Sequence, residues 1–161
     1  MIKTASIGRP TWDDVWMRTA ISVSQRSLCE RANVGAVVVT KNNRVMAASF
    51  NGAPDIVDVG GKPCSHWCER MITGEKGSDY SNCPAIHAEL NALIRADYTQ
   101  IQGGTLYVTG AVCANCAKVV MGSGIARVVY KVNEGEDYRN PDAVIDQLTA
   151  AEITVVGWKE A

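Results

Sequence analysis

Two periods of apolar residues alternate along this chain. From Thr11 onward, Trp12, Val15, Trp16, Thr19, Ala20 and Val23 recur at helical spacing. They predict a helix capped by Thr11, with Asp13 and Asp14 in its first turn and this stripe facing a core. Val34–Val39 and Arg44–Ala48 flank the turn-forming Lys41-Asn42-Asn43 and predict a β-hairpin. From Phe50 to Asn82 the pattern breaks into Gly, Pro, Asp and Ser, so a long loop is expected, of the kind that is functional or held by a metal. Helical spacing returns at Pro84, a residue suited to a first turn, with Ile86, Leu90, Leu93 and Ile94 as the buried face. Thr105–Val108 then reads as a strand, Cys113 to Gly122 as a helix, Val128–Tyr130 as a strand, Asp142–Ala150 as a helix and Ile153–Val156 as a last strand. Glu134, Glu136 and Asp137 read as a solvated loop, with Tyr138 and Arg139 beside it. The order α-β-β-α-β-α-β-α-β describes one α/β domain over residues 1–161, without repeat or linker.

Composition narrows the partners. An apolar fraction of 47% and a charged fraction of 20% are ordinary for a soluble domain. A net charge of -1 offers no basic field of the kind that draws nucleic acid, which counts against a DNA or RNA partner, and none is expected. Met1 to Pro10 lacks an apolar signal core, and no run of about 18 apolar residues occurs, so a cytosolic location without a membrane partner is expected. In that compartment six cysteines point to metal more than to disulfides.

The candidate chemistry sits in His87-Ala88-Glu89 and Cys113-Ala114-Asn115-Cys116. One His and two Cys make three zinc ligands, and a zinc with three protein ligands keeps a position for water. Cys113 and Cys116, at i and i+3 of a helix start, share one face, and a helix N-terminus favours their thiolates. Glu89, two residues beyond the His, is placed to act as general base on that water and then as proton shuttle. A Cys-x-x-Cys alone would equally suit a small structural knuckle; joined to His-x-Glu it matches the zinc nucleobase deaminases, except that Val112 stands where their signature has a proline.

Beyond the metal motif the chain resembles the cytidine and deoxycytidylate deaminase family. The blocks that carry the likeness are Ser24-Gln25-Arg26-Ser27-Leu28-Cys29, Val34-Gly35-Ala36-Val37-Val38, Phe50-Asn51-Gly52-Ala53-Pro54, His87-Ala88-Glu89-Leu90-Asn91-Ala92, Gly104-Thr105-Leu106-Tyr107-Val108-Thr109, Cys116-Ala117-Lys118 and Ser123-Gly124-Ile125. They cover roughly residues 11 to 132, and the Cys-rich loop is most similar to phage and actinobacterial members. The resemblance implies a three-layer α/β/α sandwich around a mixed five-stranded sheet. It also implies hydrolytic deamination of dCMP to dUMP for thymidylate synthesis, and a homo-oligomer, often a hexamer. A modified dCMP, another nucleotide or nucleoside, and tRNA adenosine are the other substrates it leaves open. A zinc-binding regulatory protein without catalysis is the rival from another class, and Glu89 speaks against it.

Carried onto this chain, the resemblance makes His87, Cys113 and Cys116 the catalytic zinc ligands and Glu89 the shuttle. It brings the backbone N–H groups of Ala88 and Cys113 near the reacting base. Asn51 matches an Asn that holds the sugar hydroxyl, although Asn-Gly is also a common turn pair. Arg26 and Ser27 are the candidates for phosphate, with an ordinary surface Arg as the alternative. Regulated members bind a nucleoside triphosphate effector, which would bring Mg2+. Here Ser49-Phe50 in place of Gly-Tyr, and Tyr98 in place of an Arg, count against it.

Four cysteines remain. Cys64 and Cys68 lie in the long loop with His66 between them, and Cys83 directly precedes the catalytic block. This spacing fits a closed structural zinc that would tether the loop. Related deaminases carry a second zinc that uses the position of Cys29, so Cys29, Cys64, Cys68 and Cys83 form the expected set, with His66 as a substitute ligand. Free buried thiols are the alternative.

Overall fold

A computed structural model describes residues 8–54, 61–62, 64–66, 68–73, 83–133 and 141–160. Helix α1 (Trp12–Ser24) starts at a capping box: the Thr11 hydroxyl accepts from the Asp14 N–H, and the Asp14 carboxylate accepts from the Thr11 N–H. Strands β1 (Gly35–Val39) and β2 (Val45–Phe50) form the predicted hairpin. Then come a 3-10 turn (Cys64–His66), α2 (Glu69–Thr73), α3 (Ala88–Arg95), β3 (Thr105–Val108), α4 (Ala114–Gly122), β4 (Arg127–Lys131), α5 (Pro141–Ala150) and β5 (Thr154–Trp158).

The five strands lie in the order β2-β1-β3-β4-β5. β1 is antiparallel to both β2 and β3, whereas β3, β4 and β5 run parallel. The sheet is thus mixed, as the resemblance implied. Both its faces are covered, which is why β1 is buried at every position. Met17 and Ala20 of α1 pack on Val37, Val39, Tyr107, Val129 and Trp158. The alternate residues Ala36, Val38, Leu106, Val108 and Val128 turn the other way, towards α3, α4 and α5. A Cβ at Gly35 would collide with the Ala20 carbonyl oxygen, so glycine there sets how closely α1 lies on β1.

Several elements depart from the sequence expectation. Trp12 is 55% exposed, and the buried face of α1 is Met17, Ala20 and Ser24. The turn that buries Met17 brings Asp13 to the sheet, where its carboxylate takes two hydrogen bonds of 2.7 Å from the Arg127 guanidinium and one of 2.8 Å from the Tyr107 hydroxyl. Helix α3 starts at Ala88, not at Pro84, because Ile86 is drawn into an antiparallel bridge with Gly52. Ile94 is 70% exposed, and the polar Asn91 takes a buried place on α3. The stretch expected to be loop contains the 3-10 turn and α2, too short for a periodic signal. The acidic segment with Tyr138 and Arg139 lies outside the described residues. Among the described residues no helix is long and apolar enough to cross a membrane.

Candidate active site

The ends of β2 and β3 and the start of β1 meet at one end of the sheet, since Gly35 pairs with Phe50 and Ala36 with Val108. Two helix N-termini are delivered there. His87 is the N-cap of α3 and Cys113 the N-cap of α4, both with extended backbone. His87 Nδ1 lies 3.5 Å from the Cys113 sulfur and 3.3 Å from the Cys116 sulfur, and the three donor atoms all fall within 4.8 Å of one another. With Zn–S near ~2.3 Å and Zn–N near ~2.0 Å, tetrahedral ligands stand about 3.6 Å apart, so this donor set fits zinc in spacing and in kind. Val112, in place of the signature proline, is buried in the main core and leaves Cys113 in cap geometry.

Charge is arranged around the two sulfurs. The Cys116 thiol and then His87, against the cost of burial, hold the Cys113 thiol far below its ordinary range, to about 3. The Cys113 thiolate, burial and the charge of Glu89 push Cys116 upward. A divalent cation bound between the two sulfurs would favour the thiolate of both. Glu89, in the first turn of α3, is only 3% exposed and reaches the Cys116 side chain. A buried carboxylate beside metal donors, not counted among them, is the arrangement proton transfer requires.

The sugar-side candidates lie close by in the fold. Asn51 is buried; its Oδ1 accepts from Val34 N–H at 2.8 Å, and its Nδ2 donates to the Ala32 carbonyl at 2.8 Å. One amide hydrogen and one lone pair stay available to a ligand. The Ser27 hydroxyl donates to the Asn51 carbonyl at 2.8 Å and accepts from Cys29 N–H at 3.2 Å, so it ties the segment after α1 to the end of β2. Arg26 is exposed and Ala88 is fully buried at the start of α3.

The other four cysteines, all among the described residues, lie in two pairs, and no three of their sulfurs come as close together as the His87, Cys113 and Cys116 donors do. The Cys64 thiol meets that of Cys29, and the Cys83 thiol meets that of Cys68. Burial is the main cause that raises both Cys64 and Cys83. Cys64 N–H donates to the Leu28 carbonyl at 2.9 Å, and Glu30 N–H donates to the Cys64 sulfur at 3.1 Å. Cys64 and Cys68 are 2% and 4% exposed, whereas His66 is on the surface. Sequence reasoning did not single out Asn91 for a role; its one signal was a polar residue on the apolar side of a helix.

A three-layer fold with a His-Cys-Cys donor set and a buried carboxylate at two helix starts defines a metal-dependent hydrolase of the nucleobase-deaminating class. Residues 10–132 match the model of the cytidine and deoxycytidylate deaminase zinc-binding region, and the chain belongs to that family. It is similar to the deoxycytidylate deaminase of Mycobacterium phage D29, 45% identical over 77% of this chain and 97% of the phage protein. That of Saccharomyces cerevisiae is 33% identical over 94% of this chain and 46% of the yeast protein. Among solved structures, the dCMP deaminase of cyanophage S-TIM5 in apo form superposes with a TM-score of 0.65 at 27% identity, over 94% of this chain and 100% of that one. Its complex with dCMP and dUMP gives 0.64 at 26% identity, over 94% and 99%.

Proposed function

We infer that this protein is a deoxycytidylate deaminase: it adds water to dCMP and releases dUMP and ammonia, with residues 1–161 as one catalytic domain. The observation that carries the reading is the buried Glu89 carboxylate beside three metal donors that leave a fourth position for water. His87, Cys113 and Cys116 would hold zinc, which supplies a water acidified to a pKa near ~7. Glu89 would serve as the proton carrier between the attacking water and N3 of the cytosine, whose protonation makes C4 electrophilic. Once the C4–O bond has formed, Glu89 would take the remaining proton of the new C4 hydroxyl and deliver it to the amine, so that the C4–N bond breaks, ammonia leaves and C4 becomes a carbonyl. The N–H groups of Ala88 and Cys113, at the positive ends of α3 and α4, face the reacting base. Asn51 holds the sugar hydroxyl through its remaining amide hydrogen, and Arg26 meets the phosphate. Ser27 serves that contact by fixing the loop.

The reading includes a second, structural zinc on Cys29, Cys64, Cys68 and Cys83, supported by the contacts within the pairs Cys29–Cys64 and Cys68–Cys83 and by the Glu30 N–H bond to the Cys64 sulfur. A cytosolic location agrees with free thiols kept for metal. A homo-oligomer, a hexamer by resemblance, is supported by Ile94 and Val119, exposed apolar residues of α3 and α4. Mg2+ would enter only with a nucleotide effector, against which Ser49-Phe50 and Tyr98 stand.

Ammonia release from a panel of nucleosides, mono- and triphosphates tests the reaction. Turnover of dCMP above the others is expected; inert dCMP beside a reactive modified or triphosphorylated cytosine nucleotide would replace the substrate. Metal analysis is expected to give two zinc ions per chain. One zinc, with Cys29, Cys64, Cys68 and Cys83 rapidly alkylated in the native protein, would remove the second site.

A further inference from the structure

Asn91 stands in the fourth position of α3, 6% exposed, and its side chain connects three parts of the molecule. Its Nδ2 donates to the Phe50 carbonyl at 3.0 Å and to the Ile86 carbonyl at 3.3 Å. Its Oδ1 accepts from Arg95 Nη1 at 2.8 Å, and the same Nη1 donates to the Asn91 carbonyl at 3.1 Å. Phe50 immediately precedes Asn51, and Ile86 immediately precedes His87. On the far side of Asn51, Gly52 exchanges hydrogen bonds of 3.1 Å and 2.9 Å with Ile86. Both chain neighbours of Asn51 are therefore tied to the segment that carries His87, one by the bridge and one by a single side chain.

No other side chain of similar size fits this place. Two carbonyl oxygens demand two hydrogens on one atom, and a guanidinium, which has no acceptor, demands an oxygen on the other. Aspartate would set oxygen against both carbonyls; leucine would leave them without the donor. Arg95 leaves the amide only one orientation that satisfies all three partners.

We propose that Asn91 is a positioning residue that fixes the gap between the sugar-side Asn51 and the metal ligand His87, with Arg95 locking its amide. The proposal rests on the roles given to Asn51 and His87 above. It makes sugar recognition and the placement of the ring over the metal site one mechanical unit, so a slack link weakens substrate binding first and alignment for reaction second.

The test is steady-state kinetics of the full-length, zinc-loaded protein with dCMP. Asn91→Asp is expected to raise KM about tenfold with a smaller fall in kcat and unchanged zinc content, and Asn91→Ala to raise it less. A purely structural loss lowers the active fraction and leaves KM where it was. Should Asn91→Asp fail to fold, Arg95→Ala, at the exposed end of α3, still reports, with KM expected to rise about threefold. Unchanged KM in every variant that folds overturns the proposal. Asn51→Ala measured alongside separates the two failures: if it raises KM while the Asn91 and Arg95 variants do not, the linkage is wrong. If it too leaves KM unchanged, the sugar-side role of Asn51 is what fails.

Discussion

Helix α1 and helices α3 and α4 begin in opposite ways. The N-cap Thr11 gives its side chain to its own helix, and Asp14 returns the bond. The N-caps of α3 and α4 are His87 and Cys113, and neither makes a side-chain cap bond. A good N-cap contributes about 1 kcal/mol. The two helices that carry the candidate active site forgo it twice, and their cap side chains point to one another across a space the size of a metal ion. Where a fold needs only stability, the helix start is self-sufficient; where it needs chemistry, the start is left for a ligand to complete.

The sharpest way to test that contrast is to keep the metal donors and remove the proton carrier. Glu89→Gln is expected to lower kcat by about 10²–10⁴-fold with zinc retained, read by ammonia release and metal analysis. Near-wild-type turnover would mean that the α3 start serves only to bind metal. Next, chelation is expected to end turnover and to speed amide exchange in the first turns of α3 and α4 by about fivefold or more. Exchange in the first turn of α1 stays as it was; equal acceleration there would break the contrast. Thr11→Ala should do the reverse, costing about 1 kcal/mol in urea unfolding with kcat unchanged.

The smallest effect concerns Asp13, in the first turn of the self-sufficient helix. Its hydrogen bonds from Arg127, and then from Tyr107, hold the carboxyl below the usual range against the opposing cost of burial. A depressed folded pKa stabilises above the unfolded value near ~4, and that contribution is lost as pH falls through the folded value. Asp13→Asn is therefore expected to cost about 1 kcal/mol at pH 7, because the pair is partly exposed, and progressively less below about pH 4. A deficit that does not change with pH would assign the effect to packing.

The same division explains what could be read in the sequence. The α1 cap, the hairpin and the succession of strands along the chain are local patterns, and they appear where the chain suggested. The His-x-Glu and Cys-x-x-Cys spacings are local too, so the donor set was legible although its parts meet only in three dimensions. What could not be read are the places where a distant partner overrides a local preference. Pro84 is a good first-turn residue, yet Gly52 takes Ile86 into a bridge and delays α3 to Ala88. Trp12 belongs on the apolar stripe, yet Arg127 claims its neighbour Asp13 and turns it outward. Asn91 reads as a polar interruption until Phe50 and Ile86 present their carbonyls to it.

The Gly52–Ile86 bridge also bears on how such a protein can change over time. Its two strands of chain leave and re-enter the sheet edge at one hydrogen-bonded gate, so positions 53–85 form a closed excursion. Closing a longer excursion costs only about 0.6 kcal/mol per doubling of its length. Insertions or deletions within it can accumulate without moving His87. That gate is where lineage-specific additions, or an engineered reporter domain, can enter this fold while leaving the hydrolytic centre in register.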